Sequence, residues 1–224
     1  MKRLHWVLVL GLSVLVLGAG PLAATDAPRT LEWDDLLPPE DPLESPFDGL
    51  TDEQLGDLES LLGIRDLERQ GLVSPVDETA EEAIETRHRL KSQGVDADAI
   101  LAKYEALERE VARRGKLAVA GLDGKEVRLP GYALPLEHKG TAVKEMLLVP
   151  YLGACIHVPP PPANQTVYVT LAEPYTVGEL YEPVWITGRM SVKPTNKSLT
   201  YVDGSAGVDA AYTLQGIKVE PYKE

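Results

Sequence analysis

The two residues of this sequence best equipped for chemistry are Cys155 and His157. They stand two apart in Val-Pro-Tyr-Leu-Gly-Ala-Cys-Ile-His-Val-Pro-Pro-Pro-Pro-Ala-Asn-Gln, from Val149 to Gln165. On an extended strand that spacing puts both on one face, with Ile156 and Val158 on the other. A thiolate beside an imidazole suits two kinds of chemistry. The pair could give two ligands to zinc or copper. Or His157 could raise the thiolate fraction of Cys155, as a thiol-dependent enzyme or redox protein requires. A third reading is packing alone, since free Cys is among the most buried residue types and a lone His often only satisfies a carbonyl. A metal needs a further ligand. His138, beside Glu137 after the first long strand, would approach the motif if the first two strands pair as a hairpin; His88 lies in a charged helical stretch. Cys155, His157 and His138 are therefore the candidate metal set. No catalytic residue is assigned. The chain has no Gly-rich phosphate loop, no His-Glu-x-x-His and no Gly-x-Ser-x-Gly, and the reading favours a non-enzymatic role.

The same run offers binding groups. Pro159, Pro160, Pro161 and Pro162 make a rigid polyproline segment with no backbone donors. It could dock on Tyr132, Tyr151 or Trp185, or simply hold a crossing between strands. Tyr151, Asn164 and Gln165 flank it and complete the candidate binding set. Asn164-Gln165-Thr166 and Asn196-Lys197-Ser198 also match the glycosylation triplet, a weak pattern.

Strands must position that run. Val127 and Leu129 alternate with charged residues, and Pro130-Gly131 marks a bend in a first strand over Lys125 to Glu137. Glu145 to Tyr151 reads as a strand buried on both faces. Thr166 to Leu171, Pro183 to Val192 (broken at Gly188) and Ala211 to Tyr222 complete five, with a short helical turn expected over Tyr175 to Tyr181. A long, bent first strand among five describes an OB-like barrel over 116–224.

The segment 51–115 reads as helical. Thr51 with Gln54 fits a capping box, followed by Leu55, Leu58 and Leu62. Glu78 to Gln93 forms a second helix closed by Gly94. Asp96 caps a third, where Ile100, Tyr104, Leu107 and Val111 form an apolar seam suited to a hairpin with the second. The fold class is thus α+β, a helical segment before a small barrel. Residues 25–50 form a proline-rich acidic arm. Trp33, Leu36 and Leu37 are its anchors, read first as a strap over the core and second as a partner-binding peptide.

Charge and the N-terminus bound the setting. The 224 residues carry a net charge of -13. From Thr25 to Gly115 stand 24 acidic and 10 basic residues; from Lys116 onward the balance is 11 and 10. That surface excludes nucleic acid as a partner, because phosphate neutralisation needs a basic face. Met1-Lys2-Arg3, an uncharged run from Trp6 to Gly20, and small residues at Ala23, Ala24 and Ala27 make a secretory signal peptide over 1–24. Cleavage after Ala24 or Ala27 would leave a periplasmic or extracytoplasmic protein without membrane attachment. No Cys near the site offers a lipid anchor.

Three stretches carry a resemblance. They are Leu-Asp-Gly-Lys-Glu-Val-Arg-Leu-Pro-Gly-Tyr-Ala-Leu-Pro-Leu-Glu from Leu122, the run from Leu147 to Gln165, and Pro-Val-Trp-Ile-Thr-Gly from Pro183. Leu-Glu-Trp-Asp-Asp-Leu from Leu31 agrees as well. Here the chain resembles a bacterial exported family, domain of unknown function 3299, closely from about Leu117 to Tyr222 and in position only over the helices. The resemblance implies export, often as a lipoprotein, though this chain lacks the lipobox Cys. It implies genes beside an ABC transporter with a MacB-like permease, in settings linked to zinc supply. It implies no established activity and carries over no proven site. The expectation is an exported accessory or binding protein that works with such a transporter and holds zinc or copper at Cys155 and His157. The alternative is a protein- or lipid-interaction module in which Cys155 is buried and inert.

Overall fold

The structure, a computed structural model, describes residues 27–72, 78–136, 142–153, 160–178, 181–201 and 204–222. Its first element is a two-residue strand, β1 (Arg29–Thr30), followed by a 3-10 turn over Trp33–Leu36. Three helices come next: α1 (Asp52–Arg69), α2 (Glu78–Ser92) and α3 (Ala97–Arg114). The remaining strands are β2 (Glu126–Pro135), β3 (Ala142–Val149), β4 (Val167–Thr176), β5 (Glu182–Ser191), β6 (Thr195–Tyr201), β7 (Gly204–Ala210) and β8 (Tyr212–Pro221).

The helices begin where the capping residues stand. Thr51 Oγ1 accepts from the Gln54 amide at 3.3 Å while Gln54 Oε1 accepts from the Thr51 amide at 3.0 Å, the reciprocal box expected from the pair. Asp96 accepts from the Ala99 amide at 3.1 Å and opens α3. The three helices share one small core of Leu58, Leu61, Ile64, Ala83, Leu90 and Leu101. The expected α3 seam differs from this. Leu101 is the buried position, whereas Val111 is 48% exposed and Tyr104 lies against Phe47 of the arm, ring centroids 5.5 Å apart. Because α1 also packs into the bundle, α3 turns Leu101 inward rather than presenting a narrow stripe to α2 alone.

The barrel matches the expected fold. Strand order β2-β3-β4-β8-β5, closed by β5 on β2, makes a five-stranded barrel in which β4 and β8 run parallel. In barrel order the strands run first, second, third, fifth, fourth, a Greek-key closure of OB type. The first strand bends as its Pro-Gly required. Before Gly131, β2 pairs with β1; after it, with β3. A Cβ on Gly131 would stand 2.9 Å from the Val149 carbonyl oxygen and 3.0 Å from the Trp33 ring, so only glycine admits this crossing. The fourth strand is not broken at Gly188. β5 runs through it, and the irregularity is a bulge against β8 between Thr187 and Gly188. The helical turn expected over Tyr175 to Tyr181 is absent among the described residues, since β4 continues through Thr176.

One element was not anticipated. β6 and β7 pair with each other as a separate two-stranded sheet between β5 and β8. This hairpin explains the strand expected to be buried on both faces. Met146 and Leu148 of β3 point into the barrel with Val167 and Ile186, while Leu147 and Val149 point outward beneath Leu199, Val208 and Ala210 of the hairpin.

The arm is a strap, as the first reading of its anchors expected. Leu31 and Leu36 join the barrel's interior cluster, and Trp33 packs against it. Leu37 does not anchor; it is 40% exposed. The Trp33 indole donates to the Pro130 carbonyl at 2.9 Å, and the Tyr212 hydroxyl donates to the Leu36 carbonyl at 2.6 Å while accepting from the Val119 amide at 2.7 Å. Burial pushes the Tyr212 phenol up, so the donating form persists.

Candidate functional site

The Cys155–His157 motif lies in the connection from β3 to β4. Cys155, His157, Pro159 and His138 fall outside the described residues. β2 and β3 do pair as an antiparallel hairpin, the condition set for an approach of His138. The described flanks of the two segments, Ala142 and Tyr151, lie at opposite ends of β3. Among the described residues no group of three His, Cys, Asp or Glu side chains could hold a metal.

The rest of the motif is placed. Tyr151 is 44% exposed on the turn that leaves β3, followed by Leu152 at 66%. Pro160 and Pro162 are exposed, and Pro161 is buried. These prolines face α3 rather than Tyr132, Tyr151 or Trp185. They line a cleft of about 300 Å3 with Val111, Ala112 and Gly115. Trp185 is engaged elsewhere, between the Arg128 guanidinium at 4.0 Å and the Tyr222 ring at 5.6 Å. A Cβ on Gly115 would stand 2.8 Å from Pro162 Cβ, so the helix-ending glycine also permits close approach of the proline segment.

Asn164 and Gln165 bind parts of the fold together. Asn164 is 3% exposed; its side-chain amide donates to the Arg114 carbonyl at 2.8 Å and its backbone amide to the Gly115 carbonyl at 2.9 Å. It thus closes the C-terminus of α3, whose last carbonyls have no partner within the helix. In this setting the Asn164 amide is shut away from any glycosylating enzyme. Gln165 donates to the Trp33 carbonyl at 3.0 Å and holds the arm. One turn of chain after the prolines therefore joins helix, arm and barrel.

A second cleft of about 480 Å3 shares Lys116, Ala163 and Asp209 with the first and extends along Pro194, Thr195 and Asn196. Alternation along the hairpin makes this surface. Val208 and Ala210 turn toward the barrel, so Gly207 and Asp209 turn to the cleft. The Asn196 amide donates to the Asp209 carboxylate at 2.7 Å and fixes it. The exposed Lys116 stands at the boundary of both lobes. The result is a trough with a donor-free proline wall, a small-residue wall, and one cation and one anion at its centre. Its chemistry is that of holding an extended chain. The sequence reading missed Lys116, Asn196 and Asp209. The available signal was Asp203-Gly204, a hairpin dipeptide that would have set Asn196 and Asp209 on a β-ribbon; nothing local marked Lys116.

A family model described as "Protein of unknown function (DUF3299)" matches residues 33–221. Among solved structures the chain is similar to the crystal structure of a DUF3299 family protein from Pseudomonas aeruginosa PAO1, at 31% identity over 88% of this chain and 98% of that one, with a TM-score of 0.45. No curated protein matches. The matched residues run from the 3-10 turn of the arm through the helices to the last barrel strand, and the chain belongs to the DUF3299 family.

Proposed function

We propose that this is an exported, non-enzymatic binding protein of the cell envelope that grips an extended segment of a partner in the cleft between α3, the proline segment and the β6–β7 hairpin. The observation that supports it is the construction of that cleft. Two lobes of about 300 and 480 Å3 meet at Lys116 and Asp209, in the range of natural ligand sites. Asn164 and Gln165 brace the wall against movement. The partner the family resemblance suggests is the MacB-like permease of an envelope ABC transporter. The test is a photo-crosslinking amino acid placed at Val111 in the cleft, with a control at Glu59 on α1. Crosslinks to the permease from position 111 alone would support the reading; equal or no crosslinking from both would contradict it.

Cys155 and His157 precede Pro160 by only a few residues, which favours one addition: a zinc or copper ion held there would couple metal supply to partner binding. Elemental analysis of protein expressed from Thr25 tests this. Stoichiometric metal lost in both Cys155→Ser and His157→Ala would support it. Absence of metal, with a thiol that reacts only after denaturation, would make Cys155 a packing residue.

A further inference from the structure

The outer face of the barrel beneath the hairpin is more apolar than the barrel needs. The interior is already filled by Met146, Leu148, Val167, Val169, Ile186 and Leu214. Yet Leu134, Leu147, Val149 and Tyr168 form a second apolar surface on the outside, joined by the buried Tyr181 and flanked by the partly buried Tyr132. In OB barrels the face of the second and third strands, here β3 and β4, is where ligands bind. In this chain that face is occupied by Leu199, Val208 and Ala210.

The occupant is lightly held. Among the described residues the ladder of β6 and β7 runs only between those two strands. A lone two-stranded hairpin is marginal by itself. Beyond its three apolar side chains, its polar contact with the floor runs through the single side chain of Lys197, which lies 4.0 Å over the Tyr168 ring, donates to the Tyr168 hydroxyl and faces the Glu145 carboxylate. Its base, in contrast, is fixed. The Val192 amide donates to Asp123 at 2.9 Å and the Ala211 amide to the Ala163 carbonyl at 2.7 Å. Fixed ends and a separately paired body make a flap hinged at Pro194 and Ala211. Beside it, Tyr181 holds φ at 62°, a left-handed backbone that is costly for a tyrosine and recurs at ligand clamps and switches.

We propose that the β6–β7 hairpin is a lid over an aliphatic-ligand site on the outer face of the barrel, and that a hydrocarbon chain binds there in place of Leu199, Val208 and Ala210. The side chains seated now are aliphatic, and they meet the aliphatic floor residues Leu134, Leu147 and Val149. The site is separate from the cleft on the hairpin's other face.

The test is titration of the whole mature protein with the fluorescent fatty acid cis-parinaric acid. Loosening the lid raises the populated open fraction and so tightens apparent binding. Leu199→Ala is expected to tighten it about 10-fold, and Lys197→Ala, at a half-buried position, by about 3-fold. Leu147→Ser on the floor is expected to cancel the gain in either background. Far-UV circular dichroism checks that each variant is folded, and Lys197→Ala carries the test if Leu199→Ala is not. Unchanged or weaker probe binding in the loosened variants would overturn the proposal, as would a gain that survives Leu147→Ser.

Discussion

Two segments outside the barrel lie against it, and they are attached by different means. The arm threads Leu31 and Leu36 into the interior cluster, pairs as β1 with β2, and is further tied through its backbone and indole by hydrogen bonds with Arg128, Pro130, Gln165 and Tyr212. The β6–β7 hairpin contributes three buried apolar side chains and, through Lys197, a cation–π contact and side-chain polar contacts with Tyr168 and Glu145. Burying those three stabilises docking by about 4 to 6 kcal/mol before the entropy of holding the hairpin is subtracted. Side-chain contact leaves a surface that can part without stranding a backbone group. Hydrogen bonds between buried partners do not part so easily, since each broken one leaves a desolvated donor or acceptor. The arm is built as part of the core, the hairpin as a cover.

The largest expected effect is on the arm. Leu36→Ala should lower global stability by about 3 kcal/mol, read from the denaturant midpoint, because it empties a fully buried site in the interior cluster. Tyr212→Phe should follow at about 2 kcal/mol, since it leaves both the Leu36 carbonyl and the Val119 amide unpaired. A near-neutral Tyr212→Phe would mean that the arm, too, is held by apolar contact. Leu199→Ala removes a side chain of similar size, and the difference should lie in where the cost appears. Hairpin opening should ease by about 2 kcal/mol while the barrel's denaturant midpoint hardly moves.

The helices supply a third case, in which charge pairs supplement a small apolar core. Arg89 donates to both Asp57 carboxylate oxygens, at 2.8 and 2.6 Å, and these hydrogen bonds, with the attraction between the charges, hold the Asp57 carboxyl below its ordinary range. A carboxyl depressed in the folded state contributes stability that is present above its unfolded pKa, roughly 4, and is lost as pH falls through the folded value. The helical bundle should therefore weaken below about pH 4, and Asp57→Asn should flatten that part of the profile in a circular-dichroism titration. Glu110, brought down to about 2 by hydrogen bonds from Arg113 and Arg114, stays charged through most of the same titration. The smallest effect should be that of Lys197→Ala on global stability, under about 1 kcal/mol.

The barrel was legible in the sequence because each of its five strands carries its own pattern. Val127 and Leu129 alternate, Pro130-Gly131 marks the bend, and the run from Met146 to Val149 is apolar on both faces. The arm was legible through Trp33 and Leu36. The hairpin was not, because Thr-Asn-Lys-Ser-Leu-Thr-Tyr and Gly-Ser-Ala-Gly-Val-Asp-Ala offer few apolar positions. The α3 seam was misread because heptad spacing cannot tell which of two adjacent stripes meets a third helix. Of the candidate site, the prolines were recognised as a rigid wall, but their dock was not. Nothing local to Pro160–Pro162 points to a glycine forty-five residues earlier, where a missing Cβ opens the space. Nor does Asn164 carry any mark of the distant helix end it closes. Such roles arise from tertiary placement, to which local pattern is blind.

Native-state hydrogen exchange, resolved by residue, tests the contrast between core strap and hinged cover most directly. The Leu31 amide, bonded to the Arg128 carbonyl at 2.9 Å, should exchange only with global unfolding, like the amides of β3 and β4. The amides that pair β6 with β7 should exchange about 100-fold faster, with a weaker denaturant dependence. Equal protection of hairpin and arm would contradict the account, since the two would then open as one unit with the barrel.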